Sequence, residues 1–217
     1  MTTDTLHFLS AGAAQGLVLA MQDAFGQQTG ARTSGRFGAV GAMQEAFDAD
    51  EPCDLIILTQ AMIEKMQAAG LVRAGSARPL GRVLTGVAVR KGDPQPAVAT
   101  ADELRTALRA ADSIYFPDPQ RATAGIHFAK VMRALGVHDE LQPRFRTFPN
   151  GATAMRELAA ASSPHPIGCT QVTEILYTPG VDLVALLPRE FELATTYTAA
   201  ITQRAARPEL AAQLIDL

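Results

Sequence analysis

Ile114-Tyr115-Phe116-Pro117-Asp118-Pro119-Gln120-Arg121-Ala122-Thr123-Ala124-Gly125-Ile126 decides how the rest of the chain is read. Ile114, Tyr115 and Phe116 are strand formers, and Pro117 and Pro119 end the ladder because neither has an N–H to donate. From Ile126 the apolar residues Phe128, Val131, Met132 and Leu135 fall at helical spacing up to Gly136, with Thr123 at the expected N-cap. Asp118, between two prolines, reads as a turn-forming residue whose side chain bonds nearby backbone. A strand therefore passes through a tight polar loop into a helix N-terminus, where unpaired N–H groups and the helix dipole favour a small anion. The same residues also suit a plain strand-to-helix turn that holds nothing.

Outward from this stretch the alternation repeats. Residues 6–10 predict a strand, 11–14 a small-residue turn, and the helix that follows carries Leu17, Met21 and Phe25 before Gly30. A short strand over 32–37 leads through Gly38-Ala39-Val40-Gly41 into a helix with Met43 and Phe47 on one face. Residues 54–59 form a continuous apolar run of the kind buried on both faces of a parallel sheet, followed by a helix over 60–69. On the far side, a strand is expected over 83–89 and a helix over 103–111, capped by Thr100 or Asp102. Further strands are expected over 145–148, 167–170, 181–187 and 197–202, with helices after Asn150, over 172–177 and over 209–217. This order implies an α/β chain of two successive units, each a doubly wound, mostly parallel sheet flanked by helices.

Composition narrows the function classes. The chain has 217 residues, 47% hydrophobic and 19% charged, enough to bury a substantial core. A net charge of −3 with no Lys/Arg run argues against nucleic acid as a partner. No apolar run approaches the roughly 20 residues that span a bilayer, so no membrane insertion is expected. Cys53 and Cys169 stand alone in different halves, which suits small buried apolar residues rather than a disulfide or a metal site. No H-x-x-x-H, C-x-x-C, P-loop, G-x-G-x-x-G or G-x-S-x-G is present, so neither a metal nor another cofactor is expected. Met1-Thr2-Thr3-Asp4-Thr5 lacks a basic and apolar leader. The expected location is cytoplasmic if Met1 is the native start and periplasmic if a signal was removed.

The turns Ser10-Ala11-Gly12-Ala13, Gly38-Ala39-Val40-Gly41, Thr123-Ala124-Gly125 and Asn150-Gly151-Ala152-Thr153 share one character: small residues between a strand end and a helix start. Ligands of open α/β sheets bind outside the carboxyl ends of strands, and a loop poor in Cβ atoms lets N–H groups approach an oxyanion. Arg36, Arg121, Thr170 and Gln171 stand beside these turns. Each arginine either grips a carboxylate bidentately or is a solvated loop charge. His127 and Glu174 are the residues suited to acid/base work, with packing and surface exposure as their respective alternatives.

The element order, and Phe116-Pro117-Asp118-Pro119 followed by Ala124-Gly125-Ile126, resemble the molybdate-binding protein family of type 2 periplasmic solute-binding proteins, in which a G-D-P…P-A-G segment enters the same helix. Ser10-Ala11-Gly12-Ala13, the Pro52-x-Asp54 approach to a strand, Pro166-x-Gly168 and Tyr197 support the resemblance. It implies two lobes, 1–82 plus 197–217 and 83–196, joined by a two-strand hinge near 83–89 and 196–202, with a small anion in the cleft between them. The ligand loops it implies supply Ser10, Gly12, Ala13, Gly38, Ala39, Thr123, Ala124, Gly125, Gly151, Thr170 and Gln171, and Arg36 and Arg121, which stand beside those loops, complete the expected ligand-binding set. The family's loop serines fall at Ala13 and at Ala39 or Val40, and its tyrosine hydroxyl at Gln171. Those losses favour an organic di- or tricarboxylate over molybdate. The aconitate isomerases are similar to the same family, which adds an isomerase of an unsaturated polycarboxylate as the alternative, with His127 or Glu174 as catalytic base. A transporter permease is the implied partner if the protein is exported.

Overall fold

The computed structural model describes residues 4–217. The chain divides into two compact units: one formed by the chain up to Arg82 together with Thr195–Leu217, the other by Val83–Ala194.

In the first unit β1 (Thr5–Ala11) leads through a 3-10 turn, Gly12–Ala14, into α1 (Gln15–Thr29). β2 (Arg32–Gly38), α2 (Val40–Asp48), β3 (Leu55–Thr59) and α3 (Gln60–Ala68) follow. β1 pairs in parallel with both β2 and β3, the arrangement that a β-α-β-α-β order produces. Leu55, Ile56, Ile57 and Leu58 are all buried, as their unbroken apolar run requires. Leu6, Phe8, Val18, Phe25, Leu55 and Ile57 form the core on one face, closed by Leu214 of the terminal helix. Asp54, buried at the entry to β3, accepts the amides of His7 at 2.8 Å and Arg207 at 2.9 Å. A buried carboxylate is tolerated because backbone donors meet it, and it ties three distant segments together.

β4 (Arg78–Arg90) and β9 (Ala194–Ile201) each run through the boundary between the units. β9 pairs antiparallel with β3, from Leu55 opposite Ile201 to Thr59 opposite Tyr197, and α9 (Pro208–Asp216) ends the chain.

The second unit contains α4 (Ala101–Ala110), β5 (Ser113–Pro117), α5 (Thr123–Ala134) and the short α6 (His138–Leu141). It continues with β6 (Phe145–Phe148), α7 (Gly151–Ala159), β7 (Pro166–Gln171), α8 (Val172–Tyr177) and β8 (Val181–Leu186). β5 lies parallel between β6 and β7, while β4 pairs antiparallel with β7 and β8. Phe116 is fully buried, with ring edges against Phe128 at 5.5 Å and Phe145 at 5.1 Å. That aromatic contact fixes α5 and β6 to β5. α4 begins with the reciprocal capping box of Thr100 and Glu103.

The α/β architecture expected from the sequence is the observed one. Some local expectations shift. The helix after β5 is preceded by Ala122 at its N-cap, and Thr123 is its first residue, without a side-chain cap. The reason lies one turn earlier: Asp118 Oδ1 accepts the amides of Gln120 at 2.7 Å and Arg121 at 3.2 Å, closing the loop before Thr123 is reached. β4 starts at Arg78, earlier than its apolar run suggests, and α6 is too short to leave a periodic signal. Both cysteines are buried. Burial pushes the Cys53 thiol up to about 12 and the Cys169 thiol higher still, so both are inert as nucleophiles.

Candidate functional site

In the first unit the register places Ala11, the last residue of β1, opposite Gly38, the last of β2. The two strands are parallel, so the helix starts that follow them lie side by side. Neither start has a side-chain cap: α1 is entered through Gly12–Ala14 and α2 from the extended Ala39. The hydroxyl of the buried Ser10 is turned to its own backbone, donating to the Ala11 carbonyl at 3.0 Å. Gly38 and Arg36 are two residues apart on β2 and so share a face. The Arg36 guanidinium donates to Glu51 Oε2 at 2.8 Å in an exposed pair.

In the second unit the start of α5 likewise lacks a side-chain cap. A Cβ on Gly125 would lie 2.2 Å from the Pro117 carbonyl oxygen and 2.4 Å from that of Asp118, so this turn of α5 is pressed directly onto the preceding loop. Ala124 is buried with it, whereas Arg121 is exposed at the loop tip. His127 is half-buried, and its Nε2 lies 2.7 Å from the Phe191 carbonyl. A carbonyl only accepts, so Nε2 carries the proton and the ring is held in place through it.

The most developed cluster lies at the start of α7. Asn150 caps the helix, its side chain accepting from the Thr153 amide at 2.8 Å. The carboxyl of the buried Glu174, on α8, takes the next donors: the Thr170 hydroxyl at 2.6 Å and the amides of Ala152, Gln171 and Gly151. A Cβ on Gly151 would lie 1.9 Å from Glu174 Oε2 and 2.0 Å from Thr170 Oγ1. Only glycine leaves room for the carboxyl there. Burial pushes the Glu174 carboxyl above its ordinary range, against the opposing pull of Thr170 first and the three amides after it.

The structure thus gathers Gly151, Thr170, Gln171 and Glu174 in one cluster and sets Ser10, Gly12 and Ala13 beside Gly38 and Ala39 in another. Arg36 pairs with Glu51, the Arg121 amide donates to Asp118, and His127 meets the Phe191 carbonyl. Among the described residues no group of His, Cys, Asp and Glu could hold a metal ion. No described helix is long and apolar enough to cross a membrane. Asn150 and the Gly151–Glu174 contact escaped the sequence reading as a unit. The available signals were a glycine directly after a capping Asn, and Thr170 and Glu174 four residues apart across a strand-to-helix junction.

Small-residue turns that carry strand ends to helix starts recur in both α/β units, which are linked through β4 and β9. Residues 6–217 match the bacterial extracellular solute-binding protein family, and the chain belongs to that family. An aconitate isomerase from a Pseudomonas species is 25% identical over 223 residues, covering 98% of this chain and 81% of that protein. The fold is similar to the periplasmic molybdate-binding protein of Azotobacter vinelandii, with a TM-score of 0.76 at 18% identity over 97% of this chain and 91% of that one. It is also similar to the sulfate-binding protein SubI of Mycobacterium tuberculosis, with a TM-score of 0.74 at 16% identity over 98% and 80% of the two chains.

Proposed function

We propose that this chain is a solute-binding protein that closes on a small organic anion, a di- or tricarboxylate rather than molybdate. The observation that carries the reading is the pair of adjacent helix starts in the first unit, α1 and α2, built from Gly12, Ala13, Gly38 and Ala39 without a side-chain cap. Such starts favour negative charge through their leading N–H groups and dipoles. By the resemblance to the molybdate-binding proteins, the hydroxyls that would ring an inorganic oxyanion fall here at Ala13, at Ala39 or Val40, and at Gln171. Arg36 supplies the charge instead. Its exposed pair with Glu51 is worth only about 0.2–1 kcal/mol, so a ligand carboxylate can displace it. Arg121, Thr123, Ala124 and Gly125 would contribute from the second unit as the two units close about β4 and β9, and a permease would receive the solute if the protein is exported. Closure follows from differential affinity, because a ligand touching both units favours the closed state.

Thermal melting against citrate, cis-aconitate, molybdate and sulfate tests this, since a ligand at a hundred times its Kd stabilises by about 2.7 kcal/mol. The carboxylates should raise the midpoint and molybdate should not; the reverse pattern overturns the reading. Arg36→Ala should weaken the best carboxylate about tenfold, a loss of about 1.4 kcal/mol.

A second reading, an isomerase of an unsaturated polycarboxylate, is favoured by the relationship to an aconitate isomerase that spans 98% of this chain. His127 or Glu174 would move the proton while the arginines hold carboxylates. The binding reading stands first because both candidate bases are already engaged, His127 by the Phe191 carbonyl and Glu174 by Thr170 and backbone amides. NMR of cis-aconitate with the protein in deuterated water separates the two: deuterium incorporation or trans product establishes the isomerase, and tight binding with neither establishes the binder.

A further inference from the structure

We propose that Glu174 is a tethered carboxyl that fills the N-terminal seat of α7 and thereby closes that seat to free inorganic oxyanions. Four donors converge on one carboxyl: the Thr170 hydroxyl and the amides of Gly151, Ala152 and Gln171. Two of those amides are the first of helix α7, the groups that in an open helix start would be left for water or an external anion. The fit is built in. Gly151 lacks the Cβ that would lie 1.9 Å from Glu174 Oε2, and the backbone carbonyl of Glu174 is held by the Thr178 hydroxyl at 2.7 Å. Ile175, the next residue, is buried in the cluster formed with Met155 and Leu158 of α7. The backbone of α8 is therefore fixed against α7 at the distance that the Glu174 side chain bridges.

A free anion must displace a carboxyl that is attached to the same fold and already oriented, a competition in which the intramolecular group has a large effective concentration. The second unit must then recognise a solute through groups other than the α7 amides. This deepens the organic-acid reading, on which it rests only for its consequence: open helix starts in both units would suit a small symmetric inorganic ion, whereas a start closed by its own carboxyl does not.

The test removes the tether and supplies the anion. Glu174→Ala leaves a carboxylate-sized space lined by the same donors, and formate is the probe. The alanine variant should melt about 5 °C below wild type in chloride, and formate should recover most of that shift. Formate should leave wild type and Glu174→Gln, whose side chain still fills the space, unmoved. An equal response of wild type and Glu174→Ala to formate overturns the proposal. If the alanine variant does not fold in chloride, refolding yield is read instead: formate-dependent recovery supports the tether, and equal yields in formate and chloride overturn it. Sulfate should likewise stabilise Glu174→Ala more than wild type, and equal stabilisation of both overturns the closure of the seat. The formate experiment uses no solute, so it can fail while the carboxylate panel succeeds, and the reverse.

Discussion

The starts of α1 and α2 in the first unit and the start of α7 in the second solve the same problem in opposite ways. At the ends of β1 and β2, Ala11 before the 3-10 turn that enters α1 and Ala39 before α2 offer no side-chain cap. At the end of β6, α7 receives both the Asn150 cap and the Glu174 carboxyl. Both kinds of turn are rich in Gly and Ala, so composition does not separate them. What separates them is whether an acidic side chain from a neighbouring strand-to-helix junction reaches back. A helix start is thus an anion site only in proportion to what the chain leaves undone there.

The largest test of this contrast is Gly151→Ala. The new methyl would meet Glu174 Oε2 at 1.9 Å and Thr170 Oγ1 at 2.0 Å, both atoms of a buried hydrogen-bonded cluster. Overpacking plus loss of buried hydrogen bonds should cost about 3 kcal/mol in urea unfolding. A cost below about 1 kcal/mol would mean that Glu174 steps aside readily, and the two units would differ less than their hydrogen bonds suggest.

Next is the pH dependence of Glu174→Gln. Burial raises the Glu174 carboxyl above its ordinary range in the folded protein, with Thr170 and the amides of Ala152, Gln171 and Gly151 pulling the other way. A raised folded value means that the native state holds the proton more tightly than the unfolded chain. The associated stability is fully present below the ordinary carboxylate range and is lost as pH rises through the folded value. The glutamine variant does not titrate. Its deficit against wild type, about 2 kcal/mol at the acid end from mismatched buried donors, should shrink as pH rises. Denaturant midpoints across the acid-to-neutral range read this directly, and a deficit that grows with pH would reverse the sign assigned here.

A smaller effect is expected at the loop before α5. Asp118→Ala removes the acceptor for the Gln120 and Arg121 amides, an exposed pair of bonds, and should cost about 1 kcal/mol. This loop also shows what sequence reasoning reaches. Ile114, Tyr115 and Phe116 followed by prolines announce the end of β5, and Asp118 between them announces a turn, because both signals are local. The helix starts at Thr123, one residue before its propensity as an N-cap suggests, because the Asp118 side chain organises the amides ahead of it. The candidate site was legible as a set of small-residue turns. Its occupants were not, since Glu174 meets Gly151, and His127 meets Phe191, across contacts that no local period encodes. Nor does any local period announce Glu51 as the exposed partner of Arg36.

The smallest expected effect is the counterpart of the first, and it is the sharper discriminator. Gly38→Ala places a methyl 2.7 Å from Met43 Cε, the far end of an unbranched, flexible side chain, and no backbone atom or buried polar group lies closer. Ordinary contact begins near 3.4 Å, so the terminal methyl must swing by about 0.7 Å, which a flexible methionine can do, and stability should change by about 0.5 kcal/mol or less. Affinity should not be spared in the same way. The methyl adjoins the start of α2, where the proposed carboxylate approaches backbone amides, and a Cβ at that point holds the ligand away from them. The variant should therefore keep its urea midpoint while losing several-fold in carboxylate affinity by calorimetry. The opposite result, lost stability with affinity intact, would assign Gly38 to packing alone. It would also leave the first unit's helix starts no more available to a visitor than that of α7.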